Sequence, residues 1–190
     1  MAYPKHPGNS LRSTGFVADT SVLILPLLFN YFDTEKIDEQ VKTRMINQIV
    51  ATEYRSVPRL QEQCREYFES RLPVVIVPQV ISEINGHAQA RGDGKGKLGL
   101  TGDSYERFWS HAFGYLNRYV EEEFVSLNEI FADTDLRQIA CRIGPVDALL
   151  ITAARRRSLP VLTMDRRTLI QEAKALNVAA IHLGDILLWE

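Results

Sequence analysis

Val74-Val75-Ile76-Val77 is β-branched throughout, has no polar position, and is stopped by Pro78, a residue that cannot donate to a strand ladder. A strand that is apolar at every position must be covered on both faces, whereas one on a half-exposed sheet alternates. Phe16-Val17-Ala18 before Asp19, and Pro160 to Met164 before Asp165, read as short buried strands of the same kind. Phe124 to Leu127 and Val178 to His182 read as two more. Helical periods fill the intervals. Val22 to Phe32 suits a helix limited by Pro26. After the capping residues Asp33 and Thr34, Ile37, Val41, Met45 and Ile49 recur at helical spacing, and Leu60, Cys64 and Phe68 continue that period beyond Pro58. Gln79 to Ile84 turns helical, and Tyr105, Phe108, Trp109, Ala112 and Leu116 form one helical face. Asp133 to Cys141 is a short helix, Gly144-Pro145 opens another, and a last one ends at Leu176. Helices between fully buried strands predict an α/β protein, a three-layer α/β/α sandwich with a central parallel sheet.

A chain of 190 residues, 45% hydrophobic and 24% charged, fits one such domain, and no internal repeat divides it. Residues 1–15, with Pro4, Pro7 and Gly8, predict a flexible arm, leaving 16–190 as the domain. Gly86 to Gly102 is the one low-complexity stretch and predicts a flexible loop carrying Arg91, Lys95 and Lys97. The longest apolar run, Val22 to Phe29, is too short to span a bilayer, and the first residues lack a signal peptide's apolar region, so a cytoplasmic protein is expected. Cys64 and Cys141 have no metal-like spacing and are expected as buried thiols. The net charge of -2 denies the chain a global positive field, so any grip on nucleic acid is local. Two groups offer one: Arg155, Arg156 and Arg157, and the pair Arg166 and Arg167.

Asp19 follows the first strand, Glu83 lies just beyond the second, Asp147 opens a helix, and Asp165 ends the fourth strand. Ligands of open parallel sheets collect at the carboxyl ends of the strands, so these four acids are placed to converge. Each alone has an ordinary role: a cap, a solvated helix residue, a partner for a helix dipole, a strand terminator. Together, like charges a few ångströms apart raise one another's pKa, and a divalent cation relieves them. A set of oxygen ligands without cysteine or histidine suits Mg²⁺ or Mn²⁺, and Mg²⁺ shares its shell with water and phosphate, which points to phosphodiester chemistry. Aspartyl phosphoryl transfer would want paired acids after the first strand, where Asp19-Thr20-Ser21 stands. Arg91-Gly-Asp-Gly-Lys-Gly-Lys lacks the spacing of a nucleotide-binding loop and has no strand before it.

Phe16-Val17-Ala18-Asp19-Thr20-Ser21, Pro78-Gln79-Val80-Ile81-Ser82-Glu83, Gly144-Pro145-Val146-Asp147-Ala148 and Leu162-Thr163-Met164-Asp165 resemble, in order, the four acidic motifs of the PIN-domain family. The likeness runs from about Phe16 to Leu188. It implies the α/β/α fold, one or two Mg²⁺ or Mn²⁺ ions, and endonucleolytic cleavage of RNA. Asp19, Glu83, Asp147 and Asp165 carry over as catalytic metal ligands, with the hydroxyls of Thr20, Ser21 and Thr163 behind them. The expected chemistry is in-line hydrolysis, with Glu83 ligating or orienting the attacking water and His87 near enough to assist proton transfer. Arg166, Arg167, Lys95 and Lys97 are the candidates for flanking phosphates. Many family members place an acid or Asn where this chain has Arg166. The short bacterial toxins of the family, which pair with an antitoxin protein, lack the fifteen-residue arm and the glycine-rich insert, so nuclease chemistry is the firmer implication and a toxin role with an antitoxin partner the weaker. The alternative is a non-catalytic module that binds RNA or protein, as a homodimer through the Tyr105 to Leu116 helix.

Overall fold

β1 (Phe16–Ala18) is buried at every position and pairs in parallel on both sides. Val17 lies opposite Val75 of β2 (Val74–Ile76) and Val161 of β4 (Val161–Thr163). β3 (Val120–Glu122) adds to β2, and β5 (Ala180–His182) adds to β4. The computed structural model, which describes residues 14–50, 57–69, 73–89 and 98–187, thus holds a five-stranded, all-parallel sheet in the order β3-β2-β1-β4-β5. Connections step outward from β1 in opposite directions. Right-handed crossovers therefore put the helices after β1 and β2 on one face and those after β3 and β4 on the other, giving three α/β/α layers. No helix among the described residues is long and apolar enough to cross a membrane.

On the first face, α1 (Thr20–Glu35) runs straight through Pro26, where the sequence predicts a limit. A proline inside a helix removes one backbone bond at a cost of about 3 kcal/mol. Val22 to Leu25 and Leu27 to Phe29 are all buried, and at about 1.5–3 kcal/mol per large apolar side chain their burial outweighs that loss. The helix ends at Lys36, which adopts a left-handed backbone with φ 51°. Asp38, rather than Asp33 or Thr34, caps α2 (Glu39–Ile49), accepting from the Gln40 N–H at 2.8 Å. Asp33 instead ties α1 to α3 (Val57–Phe68), accepting from Gln61 and pairing with Arg65.

α4 (Pro78–Ala88) carries the helix through Gly86, because Ile84 and Ala88 are buried one turn apart. Gly102 is already the first residue of α5 (Gly102–Tyr119), so both ends of the predicted loop, Gly86–Ala88 and Gly102, belong to helices. Arg91, Lys95 and Lys97 lie outside the described residues, as does the predicted arm up to residue 13. The returning end of the loop is anchored: Leu98 and Leu100 are buried, and their N–H groups bond to His87 and Ala88 carbonyls, each at 3.0 Å. α5 lays Phe108, Trp109, Ala112 and Tyr115 against α1.

The edge strand sits at Val120–Glu122, ahead of the predicted Phe124 to Leu127, and Phe124 is 71% exposed. β3 is held by backbone pairing to β2, continued by Glu123 N–H to the Ile76 carbonyl at 2.8 Å, and not by an apolar run. Exposed Glu121 and Glu122 suit an edge, where charge discourages further strands from adding. Ser126 and Asp133 then cap α6 (Leu127–Ala132) and α7 (Thr134–Ile143). α8 (Pro145–Arg157) packs on β1 and β4, and α9 (Leu169–Ala175) on β4 and β5. α10 (Leu183–Leu187) follows β5. Cys64 is buried as expected, but Cys141 is exposed because Leu136 and Ile139 form the inward face of α7.

Gly114, inside α5, is a local exception, since a Cβ there would meet nothing within 4 Å. Gly114→Ala should raise stability by roughly 0.5–1 kcal/mol, a rise of about 2–4 °C in melting temperature per kcal/mol at this chain length. A thermal melt showing no gain would mean that the missing side chain has a role in folding.

Candidate active site

The strand order reverses between β1 and β4, and the carboxyl ends of these neighbours diverge into the crevice where open α/β sheets bind ligands. Asp19 is the residue after β1. Its N–H bonds to the Leu162 carbonyl of β4 at 3.0 Å, and it is only 8% exposed. Its Oδ2 accepts from Ser21 Oγ at 2.6 Å and from Thr163 Oγ1 at 2.7 Å. Thr163, fully buried at the end of β4, also accepts the Asp165 N–H through that oxygen at 2.9 Å. One hydroxyl therefore joins Asp19 to the backbone of Asp165. Ser21 Oγ accepts the Met164 N–H at 3.2 Å and closes a second link between the two strand ends.

Glu83 lies in the second turn of α4, and its Oε2 accepts from Thr20 Oγ1 at 2.5 Å. Thr20 opens α1, so Glu83 is drawn to the same crevice. Asp147 is the third residue of α8. Gly144, at φ 103°, turns the chain there, and Pro145 starts the helix. Among the described residues no hydrogen bond or ion pair reaches Asp147. Burial, and after it the charges of Asp19, Glu83 and Asp165, push its carboxyl up to about 7. The other three acids predicted from sequence thus all lie within electrostatic reach of Asp147.

Asp165 has the opposite environment. Burial pushes its carboxyl up, but hydrogen bonds from the Thr168 hydroxyl and from the Thr168, Arg167 and Leu169 N–H groups outweigh that and hold it below the usual range. Both of its oxygens are engaged in this turn. Among the described residues no three His, Cys, Asp or Glu side chains stand close enough to cage an ion as they are. Glu83 and Asp19 each have one oxygen held by hydroxyls and the other without a hydrogen bond among the described residues.

The candidate cations separate clearly. Arg155 pairs with Asp133 at 3.6 Å, Arg156 with Glu123 at 3.2 Å, and Arg157 with Glu123 at 2.7 Å. These three hold the end of α8 to the segment after β3, two to three turns from Asp147. Arg166 pairs with Asp185 of α10. Arg167 is exposed beside Asp165, with no side-chain partner among the described residues. His87 sits one turn beyond Glu83 on α4.

His182 has a place at this site that the sequence reading does not assign. It is buried at the end of β5, and its Nδ1 accepts the Gly184 N–H at 3.0 Å. Its Nε2 therefore carries the hydrogen and donates to the Met164 carbonyl at 3.0 Å, fixing the backbone next to Asp165. A histidine closing an otherwise apolar strand was the available signal. No protein-family model, curated protein or solved structure matches this chain. Fold and geometry define an α/β/α protein with three carboxylates within electrostatic reach of Asp147 at the switch point of its sheet.

The Asp147 carboxyl binds its proton more tightly in the folded chain, at about 7 against an ordinary 3.8. Its contribution to stability therefore falls as pH rises from about 4 to about 7 and levels off above. Asp147→Asn removes that penalty. With chelator present, the variant should exceed wild type at pH 8 by on the order of 1–3 kcal/mol and match it near pH 4. Urea unfolding at both pH values measures this, and a difference independent of pH would exclude the proposed burden on Asp147.

Proposed function

We propose that this chain is a Mg²⁺- or Mn²⁺-dependent ribonuclease of the PIN type that hydrolyses RNA phosphodiester bonds in the β1/β4 crevice. The observation that supports it most is the uncompensated Asp147 carboxyl, lifted to about 7 beside three other acids drawn from different elements. Structural carboxylates are normally given partners, and like charges held together without them are a feature of functional sites. The donors fit a hard cation, because all are oxygens and the uncompensated charge is negative. The open spacing fits as well, since Mg²⁺ keeps several waters and needs only one or two direct carboxylates.

Asp19 and Asp147, with Asp165 and Glu83, would hold the metal. When bound, it lowers the pKa of a coordinated water and neutralises charge on the phosphate. The remaining work falls to side chains. Thr163 and Ser21 fix one Asp19 oxygen, and the other has no hydrogen bond among the described residues. Thr20 holds one Glu83 oxygen, and the other would accept a proton from the attacking water. Arg167, with no carboxylate partner among the described residues, would receive a phosphate of the RNA strand.

Purified protein incubated with labelled single-stranded RNA should cut it with Mg²⁺ or Mn²⁺ and stop when chelator is added. Asp19→Asn should slow cutting by roughly two orders of magnitude or more. Cutting that survives both chelation and the substitution would refute the metal-dependent site. RNA binding without cutting under either metal would favour the non-catalytic module. Arg167→Ala should weaken RNA binding and lower the slope of log affinity against log salt by about one. An unchanged slope would remove Arg167 from the RNA path.

A further inference from the structure

A cavity of about 520 Å³ opens between α1, α3 and α5. It is remote from the acids: Thr34 on its wall is in the last turn of α1, about 21 Å along the axis from Thr20. Gly114 helps to form it. A Cβ at that position would meet nothing within 4 Å, so α5 keeps its least favourable residue short of proline at a place where alanine fits. The consequence of the missing side chain is open space in the wall.

The lining is charged and aromatic. Arg65 of α3 and Arg118 of α5 face the cavity, against Glu69 as the one carboxylate among its lining residues. Arg65 is paired with Asp33 and His111, also on the wall, with Glu35 at 2.9 Å, which leaves Arg118 as the cation that folding has not matched with a carboxylate among the described residues. Arg118 has no ion pair among the described residues and lies over the Tyr119 ring, 5.1 Å from its centroid. Arg65 pairs with Asp33, but Gln61 Nε2 also donates to both Asp33 oxygens, at 2.9 and 2.8 Å. Asp33 therefore stays satisfied when Arg65 turns toward a ligand. Tyr115 and Tyr119 pack with ring centroids 4.8 Å apart and planes tilted by 46°, and the buried Tyr115 hydroxyl has no hydrogen-bond partner among the described residues.

We propose that this cavity binds a nucleoside monophosphate group, independently of the nuclease reading. Planar guanidiniums from two helices suit a phosphate, which each can hold through two parallel bonds. As Arg118 moves to the phosphate it uncovers the Tyr119 face, on which a base stacks. Glu69 accepts from the ribose hydroxyls. The volume is within the range of small-molecule sites. Two sources present this chemistry, a free mononucleotide and the 5′-phosphorylated end of an RNA.

Titration calorimetry on the full chain tests it, with chelator present so that no metal bridges phosphate to the acids. Adenosine 5′-monophosphate should bind at least about tenfold more tightly than adenosine or inorganic phosphate, since a charge-assisted contact is worth about that factor. Arg118→Ala should lose at least that factor. Gly114→Leu, which fills the cavity, should abolish binding while keeping the melting temperature, and Asp19→Asn should leave binding unchanged. Tighter binding of a 5′-phosphorylated oligoribonucleotide than of its 5′-hydroxyl form and of the mononucleotide identifies an RNA end, and the reverse order a free nucleotide. Absence of binding, equal binding of adenosine, full binding by Arg118→Ala, or loss in Asp19→Asn would each overturn the proposal. Should Gly114→Leu fail to fold, the exposed Arg118 substitution decides alone.

Discussion

Everything in the crevice depends on β1 being paired on both sides. Its three residues are buried on both faces, and its backbone is satisfied laterally: Phe16 N–H bonds to the Pro73 carbonyl at 3.1 Å and Val17 N–H to Pro160 at 2.8 Å. With β2 and β3 stepping off one edge and β4 and β5 off the other, the crossover helices leave in opposite directions and cannot close over the strand end. Asp19, the next residue, is thereby left at an opening while remaining largely buried. A carboxylate in that position needs donors, and Ser21 and Thr163 supply them. The Thr163 hydroxyl uses its remaining capacity on the Asp165 N–H, so the two strand ends are set by a single buried oxygen.

The acids are not equivalent, and the inequality has a physical origin. Asp19, Glu83 and Asp165 each accept hydrogen bonds from hydroxyls or backbone N–H groups. Asp147 accepts none among the described residues, although it lies in a first helical turn, where the dipole favours negative charge. Burial, and after it three neighbouring charges, overcome that preference of about 0.3–1 kcal/mol and raise the Asp147 carboxyl. Neighbouring carboxylates whose surroundings push their pKa values apart can divide acid and base roles between them. Here Asp165, held low by its turn, remains ionised while Asp147 exchanges its proton near neutral pH.

The layers and the acids were legible in the sequence because both depend on local pattern: an apolar run, then an acid at its end. What escaped depended on partners distant in sequence. Pro26 reads as a break, yet α1 continues, since its burial on all sides is supplied by α3, α4 and α5. β3 carries glutamates and forms because β2 offers backbone groups at matching register, Val74 opposite Val120. Asp33 and Thr34 look like caps, but Asp33 is taken by Gln61 and Arg65, and Asp38 supplies the cap. For the site, the sequence placed four acids at strand and helix ends, and the strand order brought them together. It could not show that Asp165 would be bound into its own turn, or that His182 would brace Met164, because both rest on hydrogen-bond geometry.

The arginines show how far a local positive charge can be inferred from a run of residues. Arg155, Arg156 and Arg157 form the densest basic run and have the least to offer a phosphate, being paired with Asp133, Glu123, Glu129 and Glu121. A polyanion would have to compete with carboxylates already in contact. Arg167 and Arg118 stand singly in the sequence, and neither has a carboxylate partner among the described residues. In a chain of net charge -2, the cations that matter for binding are those left over after folding has used the rest. That remainder is set by the fold and is not visible in the composition.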